Sequence, residues 1–169
     1  CVSEDILSNA VVLGLDPGKA VVIHPAVDPD FFSPLSSDNP QNRPLKLITI
    51  GSLVWNKGYE YLLMAVKLLN DCRIFSELHI IGKGAELNRI LFTAQDLDIA
   101  SQVVLHGKLL PVKVLQQLQR SDIFVLSSLS EGISNAVLEA MSCGLPVVTT
   151  DCGGMREAVQ DGVQGFVVP

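Results

Sequence analysis

Apolar and polar positions along this chain follow two spacings that predict strands and helices in turn. Short, continuous apolar runs are typical of strands buried on both faces of a parallel sheet. The strands predicted in this way are Leu45 to Ile50, Glu77 to Ile81, Gln102 to His106, Asp122 to Leu126, Val147 to Thr150 and Gly165 to Val168. Helical periodicity is found at Lys57 to Leu69, Ala85 to Gln95, Val112 to Arg120, within 127–146, and at Met155 to Gln160. The alternation predicts an α/β fold with a doubly wound, Rossmann-like parallel sheet of about six strands.

The first 43 residues differ from this pattern. Residues 3–13, followed by Gly14, predict a capped helix, and Ala20 to His24 predicts a short strand. Residues 25–34, P-A-V-D-P-D-F-F-S-P, fit neither periodicity, and residues 35–43 have the polar composition of a linker. The regular α/β domain is therefore expected to begin near Pro44.

Composition limits the classes of function. The 169 residues are 48% hydrophobic, which suits one domain with a sizeable core. The net charge of −6, with no cluster of Lys or Arg, argues against a nucleic-acid partner. The four cysteines have no C-x-x-C spacing and the three histidines are scattered, so no metal site and no metal cofactor are expected.

No run of roughly 18 apolar residues and no basic-then-apolar leader is found, so the sequence predicts a soluble, cytoplasmic protein. The chain begins without Met and stops just after a predicted strand. We expect it to be a piece of a longer protein.

Residues 127–146, S-S-L-S-E-G-I-S-N-A-V-L-E-A-M-S-C-G-L-P, hold the strongest candidate chemistry. Ser134 and Asn135 are suitable caps for a helix that begins at the carboxyl end of a strand, where unpaired N–H groups favour phosphate. Gly132 would let a ligand approach the backbone. Glu139 lies in an otherwise apolar helical segment, although a solvated position on an outer helix face is the alternative. Together with Glu131, eight positions earlier, it could hold hydroxyls at the two ends of a sugar nucleotide.

The two glutamates, with seven residues between them, and the following E-A-M-S-C-G-L-P-V-V resemble the donor site of family-four retaining glycosyltransferases, which have the two-domain GT-B fold. The resemblance implies that Glu131 is a catalytic residue near the transferred sugar and that Glu139 holds the ribose. It also implies that Gly132, Ile133 and Ser134 bind the donor at the helix start.

The same resemblance divides the chain into three parts. Residues 25–34 are similar to the family's crossover between domains. Residues 1–24 would then be the tail of an N-terminal acceptor domain and 25–43 the crossover and linker. Residues 44–169 would be the donor-binding domain, truncated at its C-terminus and forming one half of the GT-B enzyme.

A second candidate segment, G-S-L-V-W-N-K-G, lies between the first predicted strand and helix. Gly51 and Ser52 could provide a backbone nest there, and Lys57 a cation for a diphosphate, although a plain solvated lysine is the alternative. The family has Gly-Arg-Leu, then Lys-Gly, so Ser52 stands where an arginine is expected. A hydroxyl carries no charge, and either another basic residue compensates or the diphosphate is bound more weakly.

Three further strand-to-helix turns resemble donor-site segments. Gly82 and Lys83 lie in a G-K-G turn, whose alternative explanation is a tight turn before a helix. Lys108 and Leu109 follow the third strand, where the family's nucleobase pocket lies. Gly153 and Glu157 are weaker candidates near the donor sugar.

The resemblance implies a nucleotide-sugar-binding domain that serves a retaining, metal-independent hexosyltransferase. The expected partners are a nucleoside-diphosphate sugar and the protein's own N-terminal domain, through which peripheral membrane association is possible. Alone, the chain is expected to bind donor and transfer little or nothing. The alternatives are an enzyme similar to a nucleotide-sugar 2-epimerase and a non-catalytic binding or assembly module of the same fold.

Overall fold

The computed structural model describes residues 1–35 and 43–169. Six parallel strands form one sheet in the order β3-β2-β1-β4-β5-β6. The strands are β1 Leu45–Ile50, β2 Ser76–Ile81, β3 Val103–Gly107, β4 Ile123–Leu126, β5 Val147–Thr150 and β6 Gly165–Val168. The helices are α1 Glu4–Val12, α2 Tyr59–Asp71, α3 Leu87–Asp96, α4 Pro111–Leu118, α5 Asn135–Ser142 and α6 Met155–Ala158. The predicted α/β class and parallel sheet of about six strands are confirmed.

Alternation along the strands creates two apolar cores, one on each face of the sheet. Leu47 of β1 packs with α2 and α3, where Leu63 and Val66 are fully buried. The next residue, Ile48, points to the opposite core, which contains Val137 of α5. Helices therefore contribute to the cores on both faces, as a parallel sheet requires.

Strand order reverses between β1 and β4, which are hydrogen-bonded neighbours although two strands separate them in sequence. In a doubly wound sheet, ligands bind at the carboxyl edge beside such a switch point. A ligand site is therefore expected at the loops that follow β1 and β4.

The segment predicted as a crossover packs on the second core. Phe32 is buried there, and its ring meets that of Phe31 edge-on with centroids 4.9 Å apart. Ser142 Oγ donates to the Phe32 carbonyl (2.5 Å), and Gln119 Nε2 donates to the Ser33 carbonyl (2.9 Å). Residues 31–33 are thus fixed to α5 and to the end of α4. Residues 36–42 of the predicted linker lie outside the described part of the chain.

Two local predictions were wrong. Ala20 to His24 is not a strand, because a strand needs a ladder, and the long-range backbone bonds of this segment go to the single residue Cys1, through Ile23 N–H and the Val21 carbonyl. The helix predicted from Lys57 begins instead at Tyr59. A 3₁₀ turn at Trp55–Lys57 and a left-handed Gly58 (φ 59°) precede it and redirect the chain.

Candidate functional site

The loops after β1 and β4 are tied together at the switch point. Leu129 N–H donates to the Asn56 carbonyl (2.8 Å), and Ser127 Oγ donates to the Lys57 carbonyl (2.9 Å). Gly58 lies against the Ser127 carbonyl so closely that a Cβ there would stand 2.2 Å from the oxygen. Only glycine allows this approach, and it brings Lys57 to the loop that carries Glu131.

Lys57 and Glu131 form an ion pair between Nζ and Oε2, and each side chain keeps 19% of its surface exposed. Ser128 Oγ donates to the same Oε2 (3.2 Å). The Glu131 carbonyl touches Gly153, where a Cβ would stand 1.7 Å from it. The structure thus brings together two residues chosen independently from the sequence, and the solvated-lysine alternative for Lys57 does not describe it.

A cavity of about 350 Å³ opens at the carboxyl ends of β1, β2 and β3. It is lined by six of the predicted donor-binding residues and three apolar neighbours: Gly51, Ser52, Gly82, Lys83, Lys108 and Leu109, with Ile50, Ile81 and Val114. Two lysines therefore share a cavity with Ser52, which stands where the family has an arginine.

Glycine is required where the strand ends approach one another. Gly82 has φ 156°, and a Cβ on it would stand 1.8 Å from the Gly51 carbonyl. Its N–H donates to the Gly107 carbonyl (2.9 Å), and Gly51 N–H donates to the Ile81 carbonyl (3.0 Å). The tight-turn alternative for Gly82 is therefore correct as far as the backbone is concerned, and its contact with a donor stays a prediction.

Tyr59 bonds to backbone groups that line this cavity, and the sequence did not identify it as a site residue. Its hydroxyl lies 3.2 Å from the Gly51 carbonyl and 3.3 Å from the Ser52 carbonyl, so it donates to the loop between the cavity and Lys57. Burial, with Glu131 nearby, raises the pKa of Tyr59, so the hydroxyl keeps its proton. The only available signal was its position in the first turn after Lys57-Gly58.

The start of α5 has the predicted backbone geometry but a different environment. Ser134 is the N-cap residue and is buried, yet its hydroxyl makes no capping bond to the helix. Val2 and Ile6 stand over Gly132, where a Cβ would lie 2.8 Å from Val2 Cγ2. This side of Gly132 is thus covered by the N-terminal segment. The donor contacts expected of Gly132, Ile133 and Ser134 remain predictions.

Glu139 is partly buried on α5, unlike a freely solvated glutamate. Its carboxylate makes no hydrogen bond or ion pair with the residues in the described ranges, and burial raises its pKa. Burial, with Glu139 nearby, also raises the pKa of the Cys143 thiol to about 11. Glu139 does not line the 350 Å³ cavity. Within the described part of the chain its carboxylate has no protein partner, and its proposed ribose contact stays a prediction.

Glu157, a weaker donor candidate, instead binds the N-terminal helix. Its two carboxylate oxygens accept the backbone N–H groups of Glu4 (3.0 Å) and Asp5 (3.1 Å) at the start of α1. His24 Nε2 lies 3.2 Å from the same carboxylate. These N–H bonds and the nearby His24 lower the pKa of Glu157. The side chain therefore connects residues 1–24 with the sheet domain.

Three observations concern groups outside this arrangement. His106 Nε2 lies 2.8 Å from His79 Nδ1 and the two rings stack, so these histidines partner each other within the protein. Within residues 1–35 and 43–169, no group of three His, Cys, Asp or Glu side chains could hold a metal ion. No helix in those ranges is long and apolar enough to cross a membrane.

The structure is that of a Rossmann-like α/β domain whose candidate site lies at the switch point of the sheet. Residues 44–169 match the family model described as "Glycosyl transferases group 1", and the chain belongs to that family. The family resemblance drawn from the two glutamates is thus confirmed.

Curated relatives are longer than this chain. It is 32% identical over 172 residues to a phosphatidylinositol N-acetylglucosaminyltransferase subunit of Arabidopsis thaliana, covering 100% of the chain but 38% of the relative. It is 31% identical to the amylovoran biosynthesis glycosyltransferase AmsK of Erwinia amylovora, covering 94% of the chain and 40% of that protein. The chain thus spans about two fifths of these relatives.

Solved structures share the fold at lower identity. Anabaena Alr3699/HepE in complex with UDP-glucose superposes with a TM-score of 0.89 at 21% identity, over 100% of this chain and 49% of that one. The apo lipopolysaccharide outer core galactosyltransferase WaaB gives a TM-score of 0.74 at 24% identity, over 99% of this chain and 47% of that one.

Proposed function

We propose that this chain is the donor-binding part of a retaining glycosyltransferase that moves a hexose from a nucleoside-diphosphate sugar to an acceptor hydroxyl. The observation that carries the proposal is the Lys57–Glu131 pair at the switch point, beside the cavity lined by Lys83 and Lys108. Cations and a hydroxyl-binding carboxylate are the groups that a diphosphate-linked sugar requires.

The chemistry of the proposed step is mainly charge stabilisation. The bond between the anomeric carbon and the diphosphate oxygen breaks with its electron pair leaving on the diphosphate, while the acceptor oxygen bonds to the anomeric carbon and gives its proton to the departing diphosphate. Lys57 and the uncapped N–H groups at the start of α5 would stabilise that charge. Glu131 would orient hydroxyls of the sugar, and Glu139, which has no described protein partner, would accept the ribose hydroxyls.

The nucleotide would occupy the 350 Å³ cavity, with its base against Leu109 and its phosphates near the two lysines of the cavity. UDP is the first nucleotide to test, because a solved structure with the same fold is described in complex with UDP-glucose. No protein-bound metal is part of the proposal, because lysines supply the positive charge.

The acceptor site would lie in an N-terminal domain of a longer protein, of which residues 1–24 are the tail. Under this proposal the chain alone binds donor without efficient transfer. The longer protein would be cytoplasmic, and any peripheral contact with a membrane would be made through that domain.

A calorimetric titration of the chain with UDP, GDP and ADP, repeated in EDTA, tests the proposal. We expect one nucleotide to bind, with the same affinity in EDTA. Binding that disappears in EDTA would contradict metal independence, and the lack of binding by both the chain and the longer protein would contradict the donor site.

Ser52 favours one second candidate, a binding or assembly module of the same fold that transfers no sugar, because the cavity lacks the family's arginine. Sugar transfer by the longer protein would exclude it. Nucleotide binding without any transfer to a range of acceptors would support it.

A further inference from the structure

Ser128, the second residue after β4, is fully buried, and its hydroxyl bonds to a carboxylate. A buried hydroxyl needs a partner, and backbone carbonyls usually provide one. The preceding serine has such a backbone partner, since Ser127 Oγ donates to the Lys57 carbonyl. Ser128 Oγ instead donates to Glu131 Oε2 at 3.2 Å. The bond thus reaches the one carboxylate that the proposed reaction uses at the sugar.

The two oxygens of Glu131 have different surroundings. Oε2 accepts from both Lys57 Nζ and Ser128 Oγ, whereas Oε1 has no hydrogen bond with any residue in 1–35 or 43–169. A carboxylate oxygen has lone pairs for a further donor, so Oε1 is available to a sugar hydroxyl. The arrangement holds one oxygen in the protein and leaves the other for a ligand.

Ser128 is itself held from the neighbouring strand. Thr150, the last residue of β5, donates its Oγ1 to the Ser128 carbonyl. The Glu131 carbonyl rests on Gly153 a few residues further along the same segment. The serine, the carboxylate and their supports therefore lie on one rigid edge of the sheet, which is the condition for accurate placement of a reacting group.

We propose that Ser128 is a positioning residue that keeps the Glu131 carboxylate in place when Lys57 exchanges its bond with Oε2 for a bond to the donor's diphosphate. During the proposed reaction Lys57 can bond either to Glu131 Oε2 or to the diphosphate. The hydroxyl of Ser128 is buried and, among the residues that the structure describes, bonds only to Glu131. Without the serine hydroxyl, a bound diphosphate would remove the only other side-chain bond that orients Glu131 within the described residues. This inference rests on the proposed function, and it adds a role for a residue that does not touch the donor.

The test measures binding of UDP and UDP-glucose by calorimetry to wild type, Ser128→Ala, Glu131→Ala and the double variant. If guanine or adenine nucleotides bind instead, GDP with GDP-mannose or ADP with ADP-glucose is used. We expect Ser128→Ala to raise Kd for UDP-glucose about tenfold and to change Kd for UDP less than about twofold, since a hydrogen bond to a charged group is lost at the sugar end only. In the Glu131→Ala background, Ser128→Ala should have no further effect, because it acts through that carboxylate.

Ser121→Ala is the matched control. Ser121 is also buried, and its Oγ donates to the Gln117 carbonyl (2.8 Å) away from the site, so its loss costs stability without affecting the ratio of the two affinities. Equal weakening of UDP and UDP-glucose by Ser128→Ala, or a further loss in the Glu131→Ala background, would overturn the positioning role alone. Lack of nucleotide binding by the wild-type protein would instead overturn the proposed function.

Discussion

Lys57 and Glu131 join the two loops that flank the switch point of the sheet, although 74 positions separate them in sequence. One follows β1 and the other follows β4, which are neighbours only because the strand order reverses there. The pair is partly exposed, at 19% for each side chain, so a ligand can reach it. A cation already placed beside a carboxylate needs little rearrangement to accept a phosphate and a sugar.

Replacing Lys57 separates the phosphate contact from the base contact. Lys57→Met keeps much of the aliphatic stem and removes the charge. We expect Kd for UDP to rise about tenfold to a hundredfold, as expected for loss of a charge-assisted hydrogen bond, while uridine binds as in the wild type. Calorimetry with both ligands measures the difference, and equal loss of both would show a folding defect rather than a lost phosphate contact.

Lys83 and Lys108 are expected to compensate for the charge that Ser52 lacks, since all three line one cavity. Lys83→Gln and Lys108→Gln should each raise Kd for UDP about two- to fivefold, an effect that weakens in high salt because both lysines are exposed. Ser52→Arg should lower Kd for UDP. Lys67→Gln, which removes an ion pair with Asp71 on α2, is the control. Unchanged affinity in both lysine variants would exclude compensation.

The close approach of Gly153 to Glu131 is testable with a control from the same chain. Gly153 and Gly162 both have positive φ, 53° and 76°, so alanine is strained at either position. At Gly162 a Cβ meets nothing within 4 Å, whereas at Gly153 it would stand 1.7 Å from the Glu131 carbonyl. Gly153→Ala should therefore cost about 1–3 kcal/mol more than Gly162→Ala in urea unfolding and should weaken UDP-glucose binding. Equal costs would show that the Glu131 loop moves freely.

The regular part of the fold could be predicted because the information is local. Apolar runs and helical spacing placed β5 and β6 at their observed bounds, Val147–Thr150 and Gly165–Val168. Lys57 and Glu131 could be selected because each lies in a short motif beside a strand end. The predicted strand at Ala20 to His24 failed because an apolar run does not show whether a ladder partner is present.

What the sequence could not predict depends on how each loop folds and on which loops meet. Tyr59 bonds back to the carbonyls of Gly51 and Ser52, and Ser128 bonds forward to Glu131, but such contacts within a loop follow no regular spacing in sequence. The contacts of Glu157 could not be predicted either, since its partners at Glu4 and Asp5 are more than 150 positions away.

Glu139 is expected to lower the stability of the fold at neutral pH and to contribute to binding of the ribose. For an acid whose folded pKa is raised, the native state binds more protons than the unfolded state above the unfolded pKa, so ionisation of Glu139 destabilises the fold as pH rises. Glu139→Gln should therefore melt at a higher temperature than wild type at pH 7, and the difference should disappear below about pH 4. The same variant should discriminate less between UDP and 2′-deoxy-UDP. A lower melting temperature at pH 7 would contradict the burial argument, and unchanged discrimination would contradict the ribose contact.

Glu157 is expected to control the docking of α1 on the sheet domain. Its carboxylate accepts two N–H groups at the helix start, where a negative charge also suits the helix dipole. Glu157→Ala should destabilise α1 by about 1 kcal/mol, in line with loss of a helix cap. Hydrogen exchange of the amides in Glu4–Val12 measures this, with Glu60→Ala, which removes an ion pair with Arg89, as the control.

The dependence on pH distinguishes this docking from simple packing. Because the folded pKa of Glu157 is lowered, its contribution is present above the unfolded pKa and is lost as pH falls through the folded value. The difference in melting temperature between wild type and Glu157→Ala should therefore be largest near pH 7 and should shrink below about pH 4. A difference that stays constant down to pH 2 would show that the charge of the Glu157 carboxylate does not stabilise the docking of α1.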